Sequence, residues 1–166
     1  MGDSRRWAVG TRDELLACYH ATLPEVYRYA AQLCGDRQRA EDVVHDVYLG
    51  LLQRSRAGDV DAVGVGWLCR ALRHRYLDAL RAERRDDQRV RLVSAPPVAA
   101  GDGDVADLLV ALPARERAVI VLRYVDDLPV AEVAKQLGMT VRASESLLQR
   151  AKARARRNAG TEVGDA

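Results

Sequence analysis

Pro129-Val-Ala-Glu-Val-Ala-Lys-Gln-Leu-Gly-Met-Thr-Val-Arg-Ala-Ser-Glu-Ser-Leu-Leu-Gln-Arg150 reads as a helix, a tight turn and a second helix. Pro129 suits a first-turn position, where a missing amide hydrogen costs nothing. Ala134 is small where two crossing helices approach closely, Gly138 accepts a positive φ at the end of the first helix, and Thr140 can cap the second. On that second helix Ser144, Leu148, Ala151 and Ala155 share a stripe, which leaves Arg142, Ser146, Gln149 and Arg150 to project away. Such a helix fits a DNA major groove, where Gln pairs two hydrogen bonds with adenine and Arg pairs two with guanine. The other reading is a helical hairpin whose arginines only solvate its surface. The basic run favours DNA: Arg142, Arg150, Lys152, Arg154, Arg156 and Arg157 stand against Glu145 alone, a local net of +5.

Upstream, Ser94 to Pro113 carries Asp102, Asp104 and Asp107 and no base, and Pro96-Pro97 and Gly101-Asp102-Gly103 break any helical period. A flexible joint is therefore expected at 86–103, separating a domain at 11–85 from one at 104–157 and letting the two move independently. Running into the joint, Trp67 to Arg91 holds eight arginines against four acids, a local net of +4. The first domain reads as three helices: Thr11 to Leu33 closed by Gly35, Asp36 to Gln53 with Asp36 as a cap, and Val65 to Arg85. In the second of these Ala40, Val43, Val44, Val47 and Leu51 recur at helical steps and leave Glu41, Asp42, His45 and Asp46 on an acidic outer face. The later part gives helices at Val105 to Leu112, Pro113 to Val125, Pro129 to Leu137 and Thr140 to Arg157, with a polar tail at 158–166 expected to be disordered.

The chain has 166 residues, 48% hydrophobic and 30% charged, with a net charge of only +2, so the uneven spread of charge carries the information. Ala, Leu, Arg and Glu abound and Phe is absent, which favours an all-α fold of two small helical domains. No apolar run approaches the ~20 residues of a membrane span, and residues 1–6 lead into no signal core. Cys18, Cys34 and Cys69 form an odd set without C-x-x-C spacing, read as reduced thiols of a cytoplasmic protein. His20, His45 and His74 lack metal-ligand spacing, and there is no Gly-rich phosphate loop or nucleophile elbow, so neither enzyme chemistry nor a cofactor or metal is expected. Tyr27, Tyr29, Tyr124 and Trp67 read as packing residues. Two further classes stay open on residues alone: a dimeric helix-turn-helix regulator whose N-terminal helices sense or dimerise, and a helical adaptor that reads no DNA.

The stretch from Gly35 to Leu52, with Ala40-Glu41-Asp42-Val43-Val44-His45-Asp46-Val47-Tyr48 at its centre, resembles the core-polymerase-binding region of the extracytoplasmic-function (ECF) group of bacterial sigma factors. Trp67 to Arg81 resembles that family's helix for the promoter minus-ten element, and Leu112-Pro-Ala-Arg-Glu-Arg-Ala-Val followed by the helix-turn-helix resembles its minus-thirty-five domain. The resemblance implies that Asp42, His45 and Asp46 meet arginines of core RNA polymerase. It implies that Arg70, Arg73, His74, Arg75 and Arg81 meet promoter phosphates and exposed bases. Arg142, Ser146, Gln149, Arg150 and Lys152 would then meet the upstream element, with Arg154, Arg156 and Arg157 supplying phosphate attraction. The Gly-containing loop Ala57 to Gly66 would capture an extruded base, mainly through polar and backbone groups because it lacks an aromatic. An anti-sigma factor is the implied inhibitory partner. This chain departs from the family pattern at His45, His74, Glu145 and Leu147.

Overall fold

The computed structural model describes residues 5–87 and 108–162. A short strand β1 (Trp7–Ala8) precedes α1 (Arg12–Cys34) and α2 (Arg37–Arg56); β2 (Ala62–Val63) leads into α3 (Val65–Asp87). After a helical turn at 108–110 come α4 (Ala114–Ile120), a π turn over Val121–Val125, α5 (Val130–Gln136) and α6 (Val141–Glu162). The expected joint at 86–103 lies outside the described residues except for its first two, which extend α3.

The helix ends follow from their caps. Thr11 and Glu14 form a reciprocal capping box at α1, and Asp36 accepts from the Arg39 amide at 2.8 Å to start α2. Between them Gly35, at φ +63°, closes α1 in the left-handed conformation that side chains resist. Pro24 stands inside α1 without breaking it. Removing an amide there costs about 3 kcal/mol, offset because Cys18, Val26, Ala30 and Leu33 on both sides of it are fully buried. Thr22 donates to the Cys18 carbonyl and meets the Tyr48 hydroxyl at 2.7 Å, a polar tie between α1 and α2 inside the core.

The sequence reading expects halves that move independently, whereas the described parts share one apolar core. The joint is made by polar groups that composition does not reveal. Arg117 of α4, 6% exposed, donates from Nε to the Leu33 carbonyl at 3.1 Å and from its two other nitrogens to the carbonyls of Cys34, Leu109, Val110 and Leu112. The last carbonyls of a helix have no partner within it, so one planar donor closes the end of α1 and fastens α4 to it. A second joint lies at Asp126, whose Oδ2 accepts from the Tyr29 hydroxyl at 2.9 Å and pairs with Arg73 Nη1 at 3.0 Å.

All three thiols are free, and Cys18 and Cys34 are buried. Burial pushes the Cys34 and Cys69 thiols from 9.0 up to about 12, and the Tyr48 and Tyr76 hydroxyls from 10.0 up to about 12. The folded chain keeps these protons where the unfolded chain releases them. Stability is therefore expected to be insensitive to these groups below pH ~9 and to fall as pH rises from ~9 to ~12. Urea unfolding at pH ~8 and ~10.5 checks this; an unchanged midpoint would contradict it.

Candidate functional site

The turn between α5 and α6 is built as its residues dictate. Gly138 adopts φ +63°, the Met139 amide returns to the Ala134 carbonyl at 3.0 Å, and Thr140 Oγ1 accepts from the Ala143 amide at 3.2 Å. Ser144, Leu147, Leu148 and Ala151 face the core, and Arg142, Glu145, Ser146, Gln149 and Arg150 are exposed. Leu147 is thus a packing residue, which explains an apolar side chain where a basic one was the family expectation. Ser146 Oγ donates to the Arg142 carbonyl at 2.9 Å, back onto its own helix.

Two basic residues of α6 have partners within the chain. Arg154 Nε lies 2.8 Å from Glu116 Oε2, whose side chain is almost buried, so Arg154 pins α6 to α4 rather than standing ready for phosphate as the sequence reading expects. Lys152 Nζ stands 5.1 Å from the Tyr124 ring centroid, a cation–π contact. Tyr124 is 53% exposed, a correction to its reading as a packing residue. Trp67 does pack against the core, with the Arg54 guanidinium over its ring.

On α3 the five candidates separate. Arg70 and His74 are exposed. Arg75, also exposed, lies 3.8 Å from Asp46 of α2, and a Cβ on Gly50 would come within 2.7 Å of its Nη2, so the missing side chain there lets the guanidinium lie along α2. Arg73 is turned inward, its side chain 12% exposed against Asp126. Arg81 donates to the Gln136 carbonyl of α5 and pairs with Asp78. In this arrangement Arg73 and Arg81 tie α3 to the C-terminal half, through Asp126 and the Gln136 carbonyl.

On α2, Asp42, His45 and Asp46 are all exposed, opposite the buried Ala40, Val44, Val47 and Leu51. Near this acidic ridge are exposed apolar side chains that the sequence reading misses. Leu16 and Tyr19 of α1 and Leu49 of α2 are 45%, 36% and 42% exposed, and Tyr19 meets Tyr48 edge to face with centroids 4.8 Å apart. The available signal was Leu49 following Asp46 by one helical step, outside the apolar stripe.

The loop expected over Ala57 to Gly66 holds a short ladder that the sequence does not announce. Ala62 and Val63 pair with β1, and α3 already begins at Val65. Among the described residues no group of three or more His, Cys, Asp or Glu side chains could hold a metal ion, and no helix is long and apolar enough to cross a membrane.

Residues 18–86 match the family described as Sigma-70 region 2, and residues 102–154 that described as Sigma-70, region 4. The ECF RNA polymerase sigma factor SigL of Mycobacterium tuberculosis is 31% identical over 134 residues, covering 74% of this chain and 76% of SigL. In fold, the chain resembles the sigma factor RpoE solved in complex with the anti-sigma factor NepR from Bartonella quintana, with a TM-score of 0.50 and 21% identity over 87% of this chain and 96% of that one. With both sigma regions in order along it and a relative of this identity across about three quarters of each chain, the chain belongs to the extracytoplasmic-function group of RNA polymerase sigma factors.

Proposed function

We propose that this sigma factor docks on core RNA polymerase through α2 and directs it to promoters by opening the minus-ten element with α3 and the loop 57–64 and by reading the minus-thirty-five element with α6. The observation that carries the reading is the two-faced α6, with its buried stripe on one side and Arg142, Ser146, Gln149 and Arg150 on the other. The polymerase surface joins the ridge of Asp42, His45 and Asp46 to the patch of Leu16, Tyr19 and Leu49, an apolar centre with a charged rim of the kind protein interfaces use. Arg70 and His74 face DNA directly, and Arg75 turns to it by leaving Asp46. Arg73 and Arg81 reach it once they exchange Asp126 and the Gln136 carbonyl for phosphate, which requires the halves to part. The protein acts in the cytoplasm, as an initiation factor without catalysis or cofactor of its own. An anti-sigma factor, such as the one bound to RpoE, is the proposed inhibitory partner. In vitro transcription with core polymerase tests the reading: promoter-specific transcripts that need this chain are expected, and tight duplex binding by the chain alone would favour a dimeric regulator instead.

Base reading and phosphate attraction on α6 separate by mutation. Gln149→Ala or Arg150→Ala is expected to relax preference at one or two upstream positions, each worth about 1–3 kcal/mol of discrimination. Arg156→Ala should weaken all promoters alike and flatten the salt dependence. Promoter competition at two salt concentrations measures both effects.

A further inference from the structure

The N-terminal strand lies outside the segment matched to region 2, which begins at residue 18, yet it is built onto the loop between α2 and α3. Trp7 pairs with Val63 and Ala8 with Ala62, and the Val9 amide continues the ladder to the Asp61 carbonyl at 2.9 Å. Side chains add two ties: Arg6 Nη2 donates to the Ala62 carbonyl at 2.7 Å, and Ser55 Oγ donates to the Val9 carbonyl. Val9 and Val63 are buried beneath the ladder, and Trp7 packs on the same core. Immediately behind, the capping box locks the chain into α1, with Thr11 and Glu14 bonded at 2.9 and 3.2 Å.

A ladder this short is no independent element, so its effect is on what it holds. The loop is pinned at its start by the amides of Gly58 and Asp59 on the Ser55 and Arg54 carbonyls, and at its end by Gly64, whose carbonyl begins α3. Ala57, Gly58, Asp59 and Asp61 are exposed, and Gly58 at φ +74° has open space where a side chain would be. Between these anchors the strand supplies the loop's lateral partner. We propose that residues 6–9 are a positioning strap, holding loop 57–64 in the conformation in which it receives promoter DNA and so setting the efficiency and base preference of promoter opening without touching DNA. The proposal rests on the assignment of this loop to the opened minus-ten strand.

The test pairs each chain with core polymerase on a duplex promoter and on the same promoter already opened at the minus-ten element. One variant lacks residues 2–9. A second, Arg6→Ala with Ser55→Ala, cuts the side-chain ties without opening the core and remains informative if the first does not fold. A loop variant, Asp59→Ala with Asp61→Ala, tests the underlying assignment with the strap intact. Loosening a positioned site by about 1 Å is expected to reduce open-complex formation about tenfold in the shortened chain and about threefold in the double variant, with altered preference at one minus-ten base. The deficit should shrink on the opened promoter, where no base has to be extruded. Core affinity should hold, and amide exchange should quicken at 61–63 while α1 to α3 stay protected. Quickened exchange with unchanged opening and base preference would show a staple of the fold and overturn the proposal. Unchanged exchange, or a matching loss of core affinity, would overturn it too. If the loop variant changes neither opening nor preference, the loop assignment itself has failed, and the strap proposal fails with it.

Discussion

Replacing Arg117 with methionine is expected to lower stability by about 3 kcal/mol or more, a fall of about 6–12 °C in Tm at 2–4 °C per kcal/mol. Methionine approximates the volume of the side chain and carries no donor, so packing is largely kept and the loss falls on hydrogen bonding. The carbonyls of Leu33 and Cys34 end α1 and depend on this guanidinium, and those of Val110 and Leu112 receive it from the other side. A buried acceptor left without a donor costs about 1–3 kcal/mol, and a domain of this size holds only about 5–15 kcal/mol in total. Lysine should rescue little, because an ammonium cannot span both sets of carbonyls as a planar fork does. Gly35 offers an independent approach to the same contact: a Cβ there would stand 2.0 Å from Arg117 Nη1 on a residue at φ +63°. Gly35→Ala is therefore expected to destabilise the chain by displacing Arg117, and its effect should be far from additive with Arg117→Met. Thermal unfolding followed by far-ultraviolet circular dichroism measures all of these. A fall below ~2 °C for Arg117→Met would mean that the packed halves are not a stable arrangement in solution.

What could be read in advance was whatever local chemistry dictates. Thr11, Gly35, Asp36, Gly138 and Thr140 each mark a helix end by a conformation or a hydrogen bond made within a few residues, and all five behave so. The faces of α2 and α6 were legible for the same reason, since period alone decides which side is apolar. The joint between the halves was not, because Tyr29 and Asp126 lie 97 residues apart and neither residue type advertises a buried partner. The same holds for Arg117, Arg73 and Arg154. A count of arginines finds a basic segment but cannot tell which of them a neighbouring helix will claim. The β1–β2 ladder escaped because two residues are too few to show an alternating period.

Reversing Asp42 and Asp46 together, by Asp42→Arg and Asp46→Arg, is expected to weaken binding to core RNA polymerase about 100-fold, roughly 2.7 kcal/mol. The two carboxylates are one helical step apart on an exposed face and contribute nothing to the core beneath them. Asp46 does face Arg75, but at 3.8 Å and with both side chains about half exposed the pair is weak and can exchange partners. Reversal at position 46 sets two guanidinium groups side by side, so Asp46→Asn with Asp42→Arg separates local repulsion from lost recognition. Surface changes of this kind usually alter stability by no more than about 0.5 kcal/mol, so helicity and Tm should hold. The loss should lie mainly in the association rate and shrink as salt rises, because exposed charges act beyond contact and are screened at about 10 Å in 0.1 M salt. The apolar patch predicts the opposite kinetics: Leu49→Ala or Tyr19→Ala removes contact area made only after docking, and should speed dissociation with little effect on association or its salt dependence. Stopped-flow binding of labelled chain to core polymerase at two salt concentrations distinguishes them. Undiminished affinity in the reversed chain would remove α2 as the docking surface, and the apolar variants alone would then show whether Tyr19 and Leu49 carry the contact without the carboxylates.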